Sequence, residues 1–490
     1  MRVAALSLLL TVSLTGQTWS LASRLVAPTL YVAVDVDFAR HLRRVLPTSA
    51  LARLVRDGDI DLPLAELALL ARVTDLCQGT MEVALAGDSR AVVVHCDLPT
   101  AAADKVRALM ADADLVERVD EVDGVPVGAL RDGGADHAAR SLFLAVAGQH
   151  LLVAADPETV RTLLRGQTSA KALADDSDFR ELSRRFEADR PNLTVYGSLA
   201  DLSAALPPSP LRERLSAWLE AAGCVDARSL LIAVREHGDG LQSTVIVRRA
   251  STAPFDGWLA WVERTPLQSL LADLPRGGLG SVTLAFAPDQ LRRRTAGSKM
   301  ASFYDSLAGG CAALGVNLEQ QLLQRLKGVV GLQFVATTKQ VGSAYVAKAK
   351  SERDAQRVVS ELRRIGEHRE GVRLEPHQAG EELVLPYHPL LGGQPRVEAL
   401  RDAVVLSTQS GVLEQAALAE AGEARNLPRW AQQAFKNLPG GLRQLVGGTV
   451  LVDLSSQLPE SVRESAALRQ HVGCLRIQPD HLRLELFSQL

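Results

Sequence analysis

Aromatic side chains and basic charge are both in short supply in this chain. Of its 490 residues only 4% are aromatic, and 54 Lys and Arg are set against 57 Asp and Glu, for a formal net charge of -3. Nucleic-acid-binding domains usually carry a basic surplus, and many bind bases by aromatic stacking. We therefore expect no nucleic-acid partner. The 47% hydrophobic and 23% charged content is globular, and the length predicts two or three domains.

Cysteine is also scarce. Five cysteines are too few for a disulfide scaffold, and their odd number leaves at least one thiol unpaired within a monomer. No C-x-x-C pair is present, which removes the usual support for a zinc ribbon or thioredoxin-like chemistry. Cys77 and Cys96 flank a predicted hairpin and are candidates for a disulfide, with buried free thiols as the alternative.

Several motifs that identify enzymes are missing. The sequence contains no H-E-x-x-H, G-x-S-x-G or G-x-x-x-x-G-K-[ST] pattern, which excludes the hydrolase and nucleotide-binding classes that those motifs define. Beyond the N-terminus, no apolar run is long and uniform enough to span a bilayer. We predict no cofactor, no metal site and no transmembrane span after processing.

The N-terminus has the pattern of a secretory signal peptide. Arg2 precedes an apolar run over residues 3–14, and small residues follow at Ser20 and Ala22. This pattern predicts a signal peptide over residues 1–22 and export to the periplasm or the extracellular space. A buried N-terminal helix or strand is the alternative. Whether the segment is cleaved or retained as an anchor stays open.

One succession of elements occurs twice in the chain. The stretch LFLAVAGQHLLVAADPETVRTLL (142–164) predicts a hairpin followed by a helix, and VEALRDAVVLSTQSGVLEQAAL (397–418) repeats it. The other strands and helices recur in the same order, so we predict an internal duplication. The predicted boundaries are module one at 25–252, a packed helical connector at 253–273 and module two at 274–490.

The arrangement of the predicted strands indicates the fold class. They occur as adjacent pairs separated by helices, which is typical of antiparallel pairing, whereas strict strand–helix alternation would indicate a parallel sheet. We therefore predict an α+β protein with two similar modules. Each would be an antiparallel sheet with helices packed mainly on one face.

Three segments resemble an uncharacterised family of exported bacterial proteins. They are Pro28 to Val34, Asn317 to Leu332 and Leu400 to Thr408, together with the helix start Asp178-Phe179. The family is the domain of unknown function of the "three-three-five-two" type, found in cyanobacteria and planctomycetes among others. The resemblance covers most of the chain and implies an exported protein, but the family supplies no catalytic residues to transfer.

The histidines offer one candidate for a catalytic or metal site. His377 and His388 flank a predicted hairpin, with Glu382 nearby, and such a group could serve in acid–base or metal chemistry. A polar hairpin rim is the alternative. His95 and Cys96 do not form a nucleophile pair, because neighbouring residues of a strand point to opposite faces.

The sequence leaves two candidate functions. The first, which we favour, is a non-catalytic exported envelope protein that binds a protein partner or an apolar or anionic ligand such as a lipid. The second is a hydrolase or metal-dependent enzyme with a dispersed site around His377, His388 and Glu382. The sequence does not indicate the oligomeric state or which module carries the function.

Overall fold

The structure of the chain is a computed structural model. It describes residues 20–25, 30–45, 75–86, 91–112, 116–130, 142–166, 172–184, 191–199, 210–238, 240–253, 255–262, 265–266, 280–336, 341–367, 372–377, 380–385, 394–408, 445–446, 448–453 and 470–489. The chain divides into two compact units. Unit 1 comprises Met1–Arg44, Ile60–Pro207 and Ser229–Ala233, and unit 2 comprises Val45–Asp59, Pro208–Arg228 and Val234–Leu490.

Unit 1 contains an antiparallel sheet and several helices. Its strands are β1 (Leu30–Asp35), β2 (Gln78–Ala86), β3 (Ala91–Asp97), β4 (Val116–Val122), β5 (Val125–Leu130), β6 (Phe143–Ala147), β7 (His150–Ala154) and β8 (Leu193–Ser198). Its helices are α1 (Val36–Val45), α2 (Thr100–Met110), α3 (Pro157–Arg165) and α4 (Ser177–Arg184), with 3-10 turns at Leu21–Ser23 and Leu173–Asp175.

The strands of unit 1 lie in the order β8-β1-β2-β3-β7-β6-β5-β4, and each neighbouring pair is antiparallel. Side chains alternate between the two faces of a strand. On one face, alternate residues of β3 and β7 form a buried hydrophobic cluster with α2, including Val94, Cys96, Leu151 and Ala103. The opposite face carries four polar side chains, those of Glu82, His95, Asp97 and His150.

A short turn near the N-terminus belongs to unit 1. Leu21 is completely buried and Ala22 is 7% exposed. Ser20 caps the turn by accepting a hydrogen bond from the amide of Ala22, and Leu25 accepts one from the amide of Leu173. The turn is thus packed in the core of unit 1. The first 19 residues of the predicted signal peptide lie outside the described residues.

Unit 2 contains a second large antiparallel sheet and, separate from it, a two-stranded sheet in which Thr265–Pro266 pairs with Leu445–Val446. Its strands are β10 (Gly240–Arg249), β11 (Thr265–Pro266), β12 (Gly280–Ala285), β13 (Leu326–Ala336), β14 (Val341–Ala349), β15 (Arg373–His377), β16 (Gly380–Val384), β17 (Arg396–Leu400), β18 (Ala403–Ser407), β19 (Leu445–Val446), β20 (Gly448–Asp453), β21 (Gln470–Ile477) and β22 (His481–Gln489); β9 (Ala227–His237) has residues in both units. Its α-helices are α5 (Pro210–Ala222), α6 (Leu291–Thr295), α7 (Lys299–Ala313) and α8 (Glu352–Glu367), with shorter turns at Trp258–Trp261, Pro288–Gln290, Leu318–Leu322 and Leu323–Arg325.

The sheet of unit 2 repeats the strand order of unit 1. Its strands pair as β20-β12-β13-β14-β18-β17-β16-β15, all antiparallel, and β21, β22 and β10 extend it beyond β20. Both sheets also carry an irregularity at the start of the third strand in this order. It contains Gly79 in β2 and Gly328 in β13, each with a positive φ that favours glycine.

The predicted α+β class with antiparallel sheet modules is confirmed. The hairpin predicted for 142–164 is the pair β6 and β7, and Asp156 caps the following helix α3 by accepting a hydrogen bond from the amide of Thr159. None of the helices among the described residues combines the length and the apolar character needed to cross a bilayer. The module boundaries themselves stay predictions.

Candidate functional site

Three neighbouring strands of unit 1 bring a polar cluster together on one face of the sheet. Glu82 of β2 lies opposite His95 of β3, and Asp97 of β3 lies opposite His150 of β7. His95 and Asp97 are two residues apart, so their side chains point to the same face. The register of β2, β3 and β7 therefore places all four side chains together.

Glu82 is the buried end of this polar cluster. Its side chain is 6% exposed, and its two oxygens accept four hydrogen bonds. The donors are Ser20 Oγ at 2.7 Å, Tyr31 Oη at 2.5 Å, the Leu21 amide at 2.8 Å and His95 Nδ1 at 2.8 Å. Burial on its own would raise the pKa of Glu82, but these hydrogen bonds outweigh it and hold the pKa below its ordinary value. The carboxylate is therefore ionised at neutral pH.

His95 connects Glu82 to two more exposed side chains. Nδ1 of His95 donates to the Glu82 carboxylate, and the tautomer that makes this bond has its lone pair on Nε2. That Nε2 lies 3.4 Å from His150 Nδ1 and 3.7 Å from Asp97 Oδ1. His150 Nδ1 and Asp97 Oδ1 are 2.7 Å apart. The exposed fractions are 2% for His95, 31% for His150 and 42% for Asp97, so the cluster runs from the core to solvent.

A disulfide lies directly behind this polar cluster. Cys96, between His95 and Asp97 on β3, points to the opposite face and is bonded to Cys77, with a Cα–Cα distance of 5.9 Å. Both sulfurs belong to the hydrophobic cluster under α2. The disulfide therefore ties the segment before β2 to the strand that carries two members of the polar cluster. Cys96 is not a nucleophile paired with His95.

The same strand arrangement in unit 2 holds different side chains at these positions. β14 and β18 occupy the place of β3 and β7, and the bond from Ala349 N to Asp402 O (2.7 Å) matches that from Leu98 N to Gln149 O (2.8 Å). These two bonds align Leu98 with Ala349 and Gln149 with Asp402. In this alignment Val346, Lys348 and Ala403 stand at the positions of His95, Asp97 and His150. The fold itself therefore does not require the two histidines and the aspartate.

Unit 2 contains a groove lined mainly by apolar side chains. Its volume is about 490 Å³, within the roughly 300–1,000 Å³ typical of small-molecule sites. The turn at Trp258–Trp261 and the end of β21 form its walls. The apolar lining comprises Ala253, Phe255, Leu259, Ala260, Val262 and Ile477.

One of two nearby arginines, Arg294, gives this groove a positive charge. Arg294 lines it and donates to the carbonyl of Val262 at 3.2 Å and to Gln290 Oε1 at 3.4 Å. Arg249 lies over the ring of Phe255, 4.1 Å from its centre, and its charge is paired with Asp226 at 2.9 Å. Arg249 is therefore structural, and Arg294 is the cation that lines the groove.

Two residues of the predicted enzyme site, His377 and Glu382, lie on a hairpin of unit 2. The backbone pairs His377 of β15 with Gly380, and Glu382 of β16 with Glu375. His388 lies outside the described residues. The catalytic or metal role proposed for these residues from the sequence stays a prediction.

Sequence reasoning missed the convergence of His95, Asp97 and His150. The alternation His95-x-Asp97 on a predicted strand and His150 at a turn were both visible in the sequence. Their meeting depends on the pairing of β3 with β7, which are separated along the chain by α2 and three strands. The sequence does not define that register.

No family model matches this chain, and no curated protein matches it. Solved structures give remote matches to TP0453. Crystal form I aligns with a TM-score of 0.29 and 8% identity over 48% of this chain and 81% of the other. Crystal form IV aligns with a TM-score of 0.27 and 10% identity over 46% and 79%. At such scores the likeness carries no argument about fold or function.

Proposed function

We propose that this chain is a non-catalytic exported envelope protein that binds an apolar molecule with an anionic group, and that the groove of unit 2 is the binding site. The observation that carries the proposal is the combination of an apolar wall, formed by Phe255, Leu259 and Ile477, with the cation of Arg294 at the same groove. A fatty acid or a similar amphiphile has this chemistry.

The packing around the groove indicates a binding site for a ligand and not a packing defect. Phe255 and Leu259 are 7% and 2% exposed and belong to a hydrophobic cluster with Ile477 and Leu482. The wall is therefore supported from behind by packed side chains and would not need to form on binding. A preformed wall reduces the ordering cost of binding.

Export is supported by two independent features. The first is the pattern of the N-terminus, with one Arg, an apolar run and small residues. The second is the disulfide between Cys77 and Cys96, because disulfides persist in oxidising compartments and are rare in reducing ones. Both agree with the resemblance to exported proteins.

The two units derive, in this proposal, from an internal duplication. The matching strand order and the glycines at equivalent irregularities, Gly79 and Gly328, support this origin. After duplication, the polar cluster and the groove would have arisen in different units. Each unit can then carry a separate binding role.

Binding of palmitate to the full chain tests the proposal. The measurement is isothermal titration calorimetry with palmitate and, separately, with hexadecanol, which has the same apolar chain without the carboxylate. We expect saturable binding of palmitate, weaker binding of hexadecanol, and a loss of about tenfold in palmitate affinity for Arg294→Gln. Arg293→Gln, which removes a neighbouring exposed arginine, is the matched control and should bind palmitate like the parent chain.

Two results would contradict the groove as the site. One is palmitate binding that Arg294→Gln and Arg293→Gln reduce equally, which would indicate general attraction to the basic helix α6. The other is unchanged binding when Ala260→Trp fills the groove. A protein ligand in place of a small amphiphile would leave palmitate unbound, and that outcome also rejects this proposal.

A different variant distinguishes the enzyme hypothesis from the proposed binding function. Replacing His377 and His388 together with Ala removes the histidines of the alternative site. A binding protein keeps its affinity for palmitate and its melting temperature after this change. Loss of biological function with unchanged melting would favour the hydrolase or metal-dependent enzyme.

A further inference from the structure

We propose that His95, Asp97 and His150 form a binding site for a divalent transition-metal ion of the zinc type. The site is independent of the groove in unit 2. It departs from the sequence-based expectation that the chain holds no metal.

The donor set suits this class of ion. Two imidazole nitrogens and one carboxylate oxygen are ligands that zinc accepts in open sites, where solvent fills the remaining position. Magnesium and calcium prefer oxygen ligands throughout, so they fit this set poorly. Within the described residues, these three are a group whose ligand atoms all lie within 4.8 Å of one another.

The distances fit a single ion. With metal–ligand bonds of about 2.0–2.1 Å, the ligands of a tetrahedral zinc lie roughly 3.3 Å apart. The 3.4 Å between His95 Nε2 and His150 Nδ1 and the 3.7 Å between His95 Nε2 and Asp97 Oδ1 are close to that spacing. Only the 2.7 Å contact between His150 and Asp97 must lengthen, and both of these side chains are partly exposed. On ligation the proton of this hydrogen bond would leave for solvent or for Nε2 of His150, and the ion would take its place between the two side chains.

The buried histidine is already oriented for ligation. Metal-bound histidines commonly donate their second ring nitrogen to a carboxylate, which fixes the tautomer and the ring. Nδ1 of His95 donates to Glu82 at 2.8 Å, and Glu82 is held by three further donors. Nε2 of His95 therefore faces His150 and Asp97 with its lone pair. Glu82 is a positioning residue and not a ligand.

Unit 2 supplies an internal comparison. Its equivalent strands hold Val346, Lys348 and Ala403 where unit 1 holds the three ligands. Val346 and Ala403 pack in a hydrophobic cluster, so the same sheet is stable with apolar side chains at two of these positions. Packing of the sheet therefore does not require imidazoles at these two positions, whereas a metal ion would use both of them.

Zinc titration of the full chain tests the site. The chain is first dialysed against a chelator, and Zn²⁺ binding is then measured by calorimetry, with Co²⁺ absorption in the visible range reporting nitrogen and oxygen ligation. We expect one ion per chain, and a loss of at least tenfold in affinity for His150→Ala and for Asp97→Asn. Both side chains are partly exposed, so these variants should remain folded. His481→Ala, which removes another imidazole beside a carboxylate, is the matched control and should bind zinc normally.

The variant Glu82→Gln tests whether Glu82 positions the metal ligand His95. If Glu82 only stabilised the fold, this change would not alter the Co²⁺ spectrum. Loss of the positioning carboxylate should weaken zinc binding by about 10–100-fold and shift the Co²⁺ spectrum while all three ligands remain. Zinc binding by the parent chain that equals binding by the double variant Asp97→Asn and His150→Ala would overturn the proposal. An equal loss of affinity in His481→Ala would overturn it as well.

Discussion

Nδ1 of His95 lies 2.8 Å from Oε2 of Glu82, and both side chains are almost completely buried in unit 1. The pair joins the N-terminal turn, through Ser20 and Leu21, to the central strand of the sheet. A buried carboxylate is costly unless its hydrogen bonds are satisfied. The stability of unit 1 therefore depends on this contact.

Replacing Glu82 with Ala should destabilise the protein strongly. The change leaves several buried donors without an acceptor, so we expect the free energy of unfolding to fall by about 3 kcal/mol or more. Urea denaturation followed by circular dichroism measures it. Glu158→Ala is the control, because Glu158 is 68% exposed and its pair with Arg161 should contribute about 0.5 kcal/mol or less.

A double-mutant cycle separates the pair from its surroundings. In His95→Val the imidazole is replaced by the residue type found at the equivalent position of unit 2, Val346. We expect Glu82→Ala with His95→Val to be less destabilising than the sum of the single changes, by about 1–3 kcal/mol. Additive effects would show that the two side chains do not depend on each other.

The N-terminal turn leads to a prediction about processing. Cleavage after Ala22 would remove Leu21, which is fully buried, and two of the donors to Glu82. A chain that begins at Ser23 should therefore be roughly 2–4 kcal/mol less stable than one that begins at Ser20. For the exported form that we propose, we expect the mature chain to begin at or before Ser20 and not at Ser23, the start that the signal-peptide pattern over residues 1–22 predicts. Mass spectrometry of the intact protein determines which start is used. A mature start at Ser23 with unchanged stability would contradict this packing.

The two glycines at equivalent irregularities should respond differently to substitution. Gly79 and Gly328 have φ of 67° and 80°, so alanine at either position is strained by about 1–2 kcal/mol. A Cβ at Gly79 meets nothing within 4 Å, whereas one at Gly328 would lie 2.1 Å from the carbonyl oxygen of Phe286. We expect Gly328→Ala to be more destabilising than Gly79→Ala by at least about 1 kcal/mol, measured by chemical denaturation. Equal effects would indicate that the backbone at Phe286 shifts away from the new Cβ at little cost.

The buried thiol of Cys224 should be unreactive in the folded protein. Burial raises the pKa of Cys224 to about 11, with Asp226 adding to the effect and Arg249 opposing it. The thiolate fraction at about pH 8 is then roughly one in a thousand, against about a quarter for an ordinary thiol. Iodoacetamide should label Cys224 rapidly in urea and hardly at all without it, as peptide mass spectrometry can measure. Rapid labelling of the folded chain would mean that this core opens readily.

The sequence was sufficient for the fold class because that class depends on local patterns. The two apolar runs of 143–154 around a polar turn, and the Asp156 cap before α3, define a hairpin and a helix without reference to distant residues. Adjacent strand pairs of this kind predict an antiparallel sheet. The register between β3 and β7 is not local, because it is fixed by packing of the whole face.

The polar cluster could not be predicted for the same reason. His95 and Asp97 belong to one strand, but Glu82 and His150 reach them only through two separate pairings. Sequence patterns indicate His377 and Glu382 as a candidate site because these residues are close together in the sequence. The disulfide partners Cys77 and Cys96 were accessible to sequence reasoning because a single hairpin separates them.

The disulfide should support both the stability of unit 1 and its metal site. Cys96 lies between His95 and Asp97, so its bond to Cys77 restrains the strand that presents two ligands. For a sequence separation of 19 residues, removing the bond with Cys77→Ala and Cys96→Ala should cost about 3 kcal/mol. In the folded variant we expect zinc affinity to fall by about tenfold, because the ligand spacing is less well fixed.

Zinc affinity in this variant is best measured without a reductant, because thiol reductants also bind the metal. Gly328→Ala is the control for general destabilisation, since it strains unit 2 and leaves the ligands and the disulfide intact. Its zinc affinity should equal that of the parent chain. If the cysteine variant unfolds more easily yet binds zinc as tightly as the parent chain, the strand geometry is set by the β2, β3 and β7 pairing alone. The disulfide would then serve stability and not the site.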